Sequence, residues 1–166
     1  MRRLVDLSHR IEAGMTTYPG LPGPAIGDHL GFDESSGHYA SGTEFHIGRI
    51  EMVANTGTYL DVPVHRFRDG WGLDHLPLER VFYVPAVVID APGPTIEPAV
   101  LPAAADLVDR AIVFRTGWSR HWGSVEYGAG GHPHLSVDTA NRLVEAGVAL
   151  VAIDSLNIDD TATDER

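Results

Sequence analysis

The stretch that decides the fold is LSVDTANRLVEAGVALVAID, residues 135–154. Ser136 is a favourable helix N-cap, apolar residues follow it at helical spacing, and Gly147 is placed to end the helix. The run VALVAID, residues 148–154, then has the length and composition of a buried strand that ends on a carboxylate. A helix that leads directly into such a strand predicts an α/β architecture.

Other runs upstream add strands to this unit. PAVVIDA (85–91) and RAIVFRTG (110–117) are nearly continuous apolar runs, a pattern typical of strands covered on both faces. TEFHIGRIEMVA (43–54) alternates polar and apolar residues, with a slip near Gly48 that indicates a bulge or a bend. GMTTYPGLPGPAIGD (14–28) is rich in Gly and Pro and is predicted to be loop. Strands therefore outnumber helices, and we expect an α/β domain with a mixed sheet.

Composition limits the kinds of partner. The length of 166 residues fits one domain. The formal net charge of −11 disfavours nucleic acid and anionic membranes as partners. A small molecule or another protein is the expected partner. The absence of Cys excludes thiolate nucleophiles and Cys-based metal sites, so any transition metal needs His and carboxylate ligands. No segment has the length of a membrane span or the pattern of a signal peptide, and we expect a cytoplasmic protein.

The segment NTGTYLDVPVH, residues 55–65, concentrates the polar side chains of interest. Pro63 fixes its own φ and biases Val62 toward an extended conformation, so Asp61 and His65 are predicted to project from the same side of an extended segment. Such a pair is half of a metal site, an acid/base pair, or the polar edge of a loop. The spacing alone leaves these three alternatives open.

Two aromatic residues lie in segments that suit a binding pocket. Tyr18 is in the Gly- and Pro-rich loop, and Trp118 is in TGWSRHW (116–122), directly after a predicted strand. Trp118 is large enough to form a pocket wall, and it could equally pack into the core.

These segments resemble the cyclase-like superfamily, whose best-known enzymes are bacterial kynurenine formamidase (arylformamidase) and isatin hydrolase. Residues 55–65 match the frame of its motif H-x-G-T-H-x-D-x-P-x-H without a gap. The similarity continues in LVDLSHRIEAGMTTYPG (4–20), which corresponds to an N-terminal strand and substrate loop, and in RTGWSRHW (115–122). It also covers HPHLSVDTANRLVEAGVALVAIDSLNID (132–159), so that it spans nearly the whole chain.

The resemblance implies a swivelling β/β/α fold, a homodimer or homotetramer, and a metal-dependent hydrolase. The reaction would cleave a carbon–nitrogen bond other than a peptide bond, in a small amide, formamide or lactam, as in the conversion of N-formylkynurenine to kynurenine and formate. The implied cofactor is a divalent metal, zinc or manganese. Carried over to this chain, positions Asn55, Tyr59 and Asp61 are those of metal ligands, His65 is the catalytic acid/base, and Tyr18 helps to hold the substrate. Trp118 is a further candidate for substrate binding.

The chain departs from the family pattern at two motif positions and at its end. Asn55 and Tyr59 replace His, and because amide and phenol oxygens are poor zinc ligands, a weaker site that favours oxygen-preferring metals is expected. Family members continue into a further His and a Glu that complete the metal site, whereas this chain ends at Arg166, so we expect a single domain (1–166) truncated relative to the family. Three late carboxylates could substitute or form a solvated acidic loop: Asp154, Asp159 and Asp160.

Three hypotheses follow from the sequence. The first is a hydrolase of this family with an altered metal site. The second is a catalytically silent protein that binds a small molecule or has a structural role. The third is a metal-free lyase or dehydratase that uses His65 and Tyr59 as acid and base.

Overall fold

The computed structural model describes residues 3–163. They divide into two compact units, one up to Leu60 and the other from Asp61. The first unit contains strand β1 (Ala25–Leu30), a short helix α1 (Phe32–Ser35) and strand β2 (Ile47–Glu51). β1 and β2 pair antiparallel, and their register shifts between Asp28 and Leu30, opposite Gly48 and Ile47. The irregularity predicted near Gly48 therefore occurs, but on the partner strand.

The second unit is built on parallel strands. Its regular segments are β3 (Ala86–Asp90), β4 (Thr95–Ile96), β5 (Ala111–Arg115), β6 (His134–Leu135), α2 (Val137–Glu145) and β7 (Leu150–Ile153). β5 lies between β3 and β7 in a parallel sheet, and β4 pairs with β6 in a second parallel sheet. With the antiparallel pair of the first unit, this arrangement confirms the predicted α/β class.

Short 3₁₀ helices connect these segments. They cover Pro63–His65, Leu73–His75, Leu78–Arg80, Pro98–Val100, Ala104–Asp106, Trp118–His121 and Val125–Gly128. Within residues 3–163, no helix is both long enough and apolar enough to cross a membrane.

Helix α2 forms where the sequence predicts it and is fixed to the core of the second unit. The Ser136 side chain accepts a hydrogen bond from the Thr139 backbone N–H at 3.2 Å, and Gly147 adopts φ of 68° just beyond the helix. Leu143 packs with the fully buried Ile112 and Phe114 of β5. The core therefore lies between this helix and the central strand.

Three local predictions differ from the structure. Residues 4–7, matched to an N-terminal strand, are not in a strand, and Leu4 is 97% exposed; among residues 3–163, no strand pairs with this segment. β1 begins inside the segment predicted to be loop. Finally, β3 is an edge strand with Val88 exposed, so it is not covered on both faces as its apolar composition suggested.

Parallel pairing brings opposite charges together where β3 and β5 end. Asp90 is in register with Arg115, whose Nη2 donates to Asp90 Oδ2 at 2.8 Å while Nε donates to the other carboxylate oxygen. This hydrogen bonding by Arg115 lowers the pKa of Asp90, and Asp90 in turn raises the pKa of Arg115. Both side chains are exposed, so the pair marks the carboxyl edge of the sheet more than it stabilises the fold.

Replacing the N-cap tests the helix boundary. We expect Ser136→Ala to lower the free energy of unfolding by about 1 kcal/mol, because the Thr139 N–H loses its partner. Urea unfolding followed by circular dichroism measures the change. Ser136→Asp is the control, since Asp caps equally well and should stay within a few tenths of a kcal/mol of the parent. Equal losses in both variants would contradict the assignment of the cap.

Removing the guanidinium tests the charge pair. Because the folded-state pKa of Asp90 is lowered, its contribution to stability is present above the unfolded-state pKa and is lost as the pH falls through the lowered pKa. Arg115→Gln should raise the pKa of Asp90 toward its ordinary value, as measured by carboxyl carbon NMR titration. Arg49→Gln removes a comparable surface pair with Glu51 and should leave the pKa of Asp90 unchanged. No change in Arg115→Gln would refute the pairing in solution.

Candidate functional site

The first half of the motif, residues 55–59, is anchored through its backbone. The buried Thr17 donates its hydroxyl hydrogen bond to the Asn55 carbonyl oxygen at 3.2 Å, and the buried Thr56 bonds the Val53 carbonyl at 2.7 Å. Gly57 adopts φ of 70°, and a Cβ at this position would lie 3.1 Å from Ile11 Cγ1. The left-handed turn therefore favours glycine here, and a larger residue would also have to displace the Ile11 side chain by a few tenths of an ångström.

Tyr18 is adjacent to that anchor. It follows Thr17 in the chain, is half-buried, and its carbonyl oxygen accepts the Leu21 N–H at 3.1 Å to close a turn. The structure thus brings the loop that carries Tyr18 to the first residue of the motif. Tyr59, in the same unit, is 42% exposed.

The second half of the motif forms a tight turn that pairs the acid with the imidazole. Pro63 starts a 3₁₀ helix, and the His65 N–H donates to the Val62 carbonyl at 2.8 Å. Asp61 Oδ1 then lies 3.4 Å from His65 Nδ1, with both side chains about half exposed. The two groups are within ion-pair distance, and the Nε2 side of the ring is the one that can exchange a proton with a ligand.

This turn corrects the prediction of a fully extended segment. Val62 is extended, with φ of −127° and ψ of 166°, as expected for a residue before proline. From Pro63 onward the chain is helical, because the φ that proline imposes also suits the first position of a helix. Asp61 and His65 therefore meet across one turn at spacing i, i+4.

Trp118 lies directly after β5, at the carboxyl edge of the parallel sheet. Gly117 adopts φ of 79°, and Trp118 begins the 3₁₀ helix Trp118–His121. Its indole Nε1–H donates to the Tyr127 carbonyl at 3.1 Å, and its ring centroid is 4.9 Å from that of His121. The half-buried indole is thus fixed by hydrogen bonds as well as by packing.

Asp154 fixes the loop that follows β5, a role that the sequence did not reveal. Its carboxylate accepts hydrogen bonds from Thr116 and Gly117 N–H groups at 2.7 and 2.9 Å and from the Thr116 hydroxyl at 2.6 Å. It is therefore not part of a solvated acidic loop, and its oxygens are already occupied. Its partners lie 35 to 38 residues earlier in the chain, so no local sequence pattern identifies the contact.

A further histidine, outside the motif, is buried. His132 is 2% exposed, and its two ring nitrogens lie 3.3 Å from Ser155 Oγ and 3.0 Å from Thr161 Oγ1. Both nitrogens have protein partners, so this ring joins two loops and is not free to ligate.

The described residues do not fit the metal site that the resemblance implies. Among residues 3–163, no group of three or more His, Cys, Asp or Glu side chains is placed to hold a metal ion. At the motif positions, the donors are the Asp61 carboxylate, the amide oxygen of Asn55 and the phenol of Tyr59. Zinc prefers nitrogen and sulfur ligands, and two of these three donors are neutral oxygens.

Kynurenine formamidases from two organisms are similar in sequence to this chain. Kynurenine formamidase from Salinibacter ruber (strain DSM 13855 / M31) is 26% identical over 158 residues, which cover 94% of this chain and 70% of the relative. Kynurenine formamidase from Erythrobacter litoralis (strain HTCC2594) is 28% identical over 163 residues, which cover 95% of this chain and 68% of the relative. These relatives support a hydrolase.

Solved structures agree with the fold. Isatin hydrolase A from Labrenzia aggregata, bound to benzyl benzoate, has a TM-score of 0.76 at 20% identity, over 95% of this chain and 70% of that chain. A structure described as a potential metal-dependent hydrolase with cyclase activity has a TM-score of 0.72 at 22% identity, with the same coverage. At these identities the likeness establishes the cyclase-like fold, as predicted.

The family itself follows from the match along the chain. The family model described as Cyclase covers residues 5–160, which include the motif segment, the loop after β5 and the helix–strand unit. The protein therefore belongs to the cyclase family.

Proposed function

We propose that the protein hydrolyses the carbon–nitrogen bond of a small amide, formamide or lactam, with N-formylkynurenine as the first substrate to test. The observation that carries the proposal is the Asp61–His65 pair, which keeps its place in the motif frame and has its atoms 3.4 Å apart. The names of the similar formamidases support the same reaction class. The ligand is a small molecule, since the net charge of −11 disfavours polyanions.

His65 can carry the proton that this reaction moves. It takes a proton from water as the water oxygen attacks the carbonyl carbon, and it gives that proton to the nitrogen as the carbon–nitrogen bond breaks. For a formamide, the products are formate and the free amine. Asp61, whose Oδ1 lies beside Nδ1, is placed to orient the ring.

Removal of His65 tests this role. We expect His65→Ala to lower kcat/KM for N-formylkynurenine by about 100-fold or more, because the proton transfer loses its carrier. Formation of kynurenine, followed by its absorbance, measures the rate. His75→Ala is the matched control, since His75 forms another exposed Asp–His pair, with Asp74 Oδ2 at 3.1 Å from its Nδ1. Equal losses of kcat/KM in the two variants, or unchanged turnover in His65→Ala, would refute the proposal.

The side chains at the two changed motif positions favour a second function. Asn55 and Tyr59 replace both motif histidines, which suits a catalytically silent protein that binds a small molecule on the same fold. This alternative predicts no hydrolysis of small amides with or without added zinc or manganese, and binding that is insensitive to chelator. In the third hypothesis, a metal-free lyase or dehydratase, turnover persists in chelator and is lost in Tyr59→Phe.

Restoring the two histidines tests the metal site directly. We expect the double variant Asn55→His/Tyr59→His to bind zinc at least about tenfold more tightly than the parent chain, because two imidazoles replace two neutral oxygens. Competition with a zinc-binding dye measures both affinities, and manganese is measured in parallel. The control is His38→Asn/Tyr39→Phe, which alters residues outside the motif. Equal zinc affinity in parent and double variant would show that positions 55 and 59 do not supply ligands.

The expected homodimer or homotetramer stays a proposal based on the resemblance. Sedimentation equilibrium of the full chain measures the oligomeric state.

A further inference from the structure

The dipeptide that follows β7 holds the loop that follows β5. Asp154 Oδ1 accepts from the Thr116 N–H and hydroxyl at 2.7 and 2.6 Å. Asp154 Oδ2 accepts from the Gly117 N–H at 2.9 Å and lies 3.4 Å from the Ser119 hydroxyl. Hydrogen bonds to a carboxylate are stronger than those between neutral groups, so this one side chain fixes the whole turn.

The same dipeptide is also linked to the Trp118 indole through Tyr127. The Tyr127 hydroxyl donates to the Ser155 carbonyl at 3.2 Å, and the Tyr127 carbonyl accepts the indole N–H of Trp118 at 3.1 Å. The Trp118 backbone N–H in turn donates to the Thr116 hydroxyl at 3.1 Å. Trp118 is therefore held at two points. Its backbone N–H bonds Thr116, which is bound to Asp154, and its indole N–H bonds Tyr127, which is bound to Ser155.

These hydrogen bonds lie at the carboxyl edge of the parallel sheet. β5 and β7 are parallel neighbours, so the loops at their carboxyl ends lie next to each other at one edge of the sheet. The Trp118 indole is half-buried against His121, and the part that remains accessible is of a kind that packs against aromatic rings.

We propose that Asp154 is a positioning residue, which fixes the Thr116–Ser119 turn and thereby orients Trp118 against the planar aryl group of the substrate. The inference rests on the proposed function for the presence of an amide substrate. Asp154 itself does not touch the substrate and takes no part in proton transfer. Its effect is on the choice between aromatic and aliphatic amides.

The test compares an aryl formamide, N-formylaniline, with an aliphatic formamide, N-butylformamide. Asp154→Asn keeps the shape of the side chain, but its amide group cannot accept from all four donors. We expect its KM for the aryl substrate to rise about tenfold with kcat little changed, while the KM for the aliphatic substrate stays within about twofold. Trp118→Leu should give the same selective loss, and combining it with Asp154→Asn should add little more. Asp106→Asn, an exposed carboxylate of the same unit, is the control.

Fluorine NMR of 5-fluorotryptophan protein gives a readout that does not need turnover. Assignment of the signals of Trp71, Trp118 and Trp122 uses single Trp→Phe variants. We expect Asp154→Asn to shift or broaden the Trp118 signal, and Asp106→Asn to leave it unchanged. If neither formamide is hydrolysed, the proposed function fails, and the aryl–aliphatic comparison is then made on Kd from titrations of the same signals.

Two results would overturn the inference. One is an unmoved Trp118 signal in Asp154→Asn, and the other is an equal loss for aryl and aliphatic ligands. If Asp154→Asn does not fold, Thr116→Val and Ser119→Ala each remove one donor and keep the carboxylate. They should show the same aryl-selective loss at smaller amplitude, and equal losses in them also overturn the inference.

Discussion

The parallel pairing of β5 with its two neighbours is the constraint on which the second unit depends. Pairing in this register buries Ile112 and Phe114 completely and lets Leu143 of α2 close the core above them. Because all three strands run the same way, their carboxyl ends form a single edge. The Asp90–Arg115 pair and the Asp154–Thr116 bonds both lie where these strands end, so the apolar packing of the core places the polar groups of the edge.

The motif segment shows a different relation between sequence and chemistry. Its frame, Gly57, Asp61, Pro63 and His65, is that of the family, and the turn at Pro63 needs only local interactions to bring acid and imidazole together. The two motif positions that differ from the family frame are Asn55 and Tyr59, whose oxygens suit a hard cation better than zinc.

Prediction from sequence was accurate where the determinants are local and failed where they are not. The boundaries of α2 follow from Ser136 and Gly147, which are adjacent to the helix, and β5 follows from its own apolar run. β1 was hidden by the Gly- and Pro-rich segment before it, since its strand character comes from pairing with β2. The fixed φ of Pro63 is compatible with extended and helical backbone alike, so the turn could not be chosen in advance.

The bonds of Asp154 illustrate the same limit for the site. Its donors lie 35 to 38 residues earlier in the chain, and nothing near Asp154 in the sequence marks them as partners. Only the register of β5 against β7 makes the contact inevitable. The resemblance to the cyclase family predicted the general fold, whereas this contact depends on how distant segments pack.

The hydrogen bond between Thr17 and Asn55 has a consequence for substitution at position 55. The bond uses the carbonyl oxygen of residue 55, which every amino acid possesses, and leaves the side chain outside the anchoring. A substitution at this position is therefore expected to keep the bond, so that the side chain of residue 55 can change while the loop around it stays anchored.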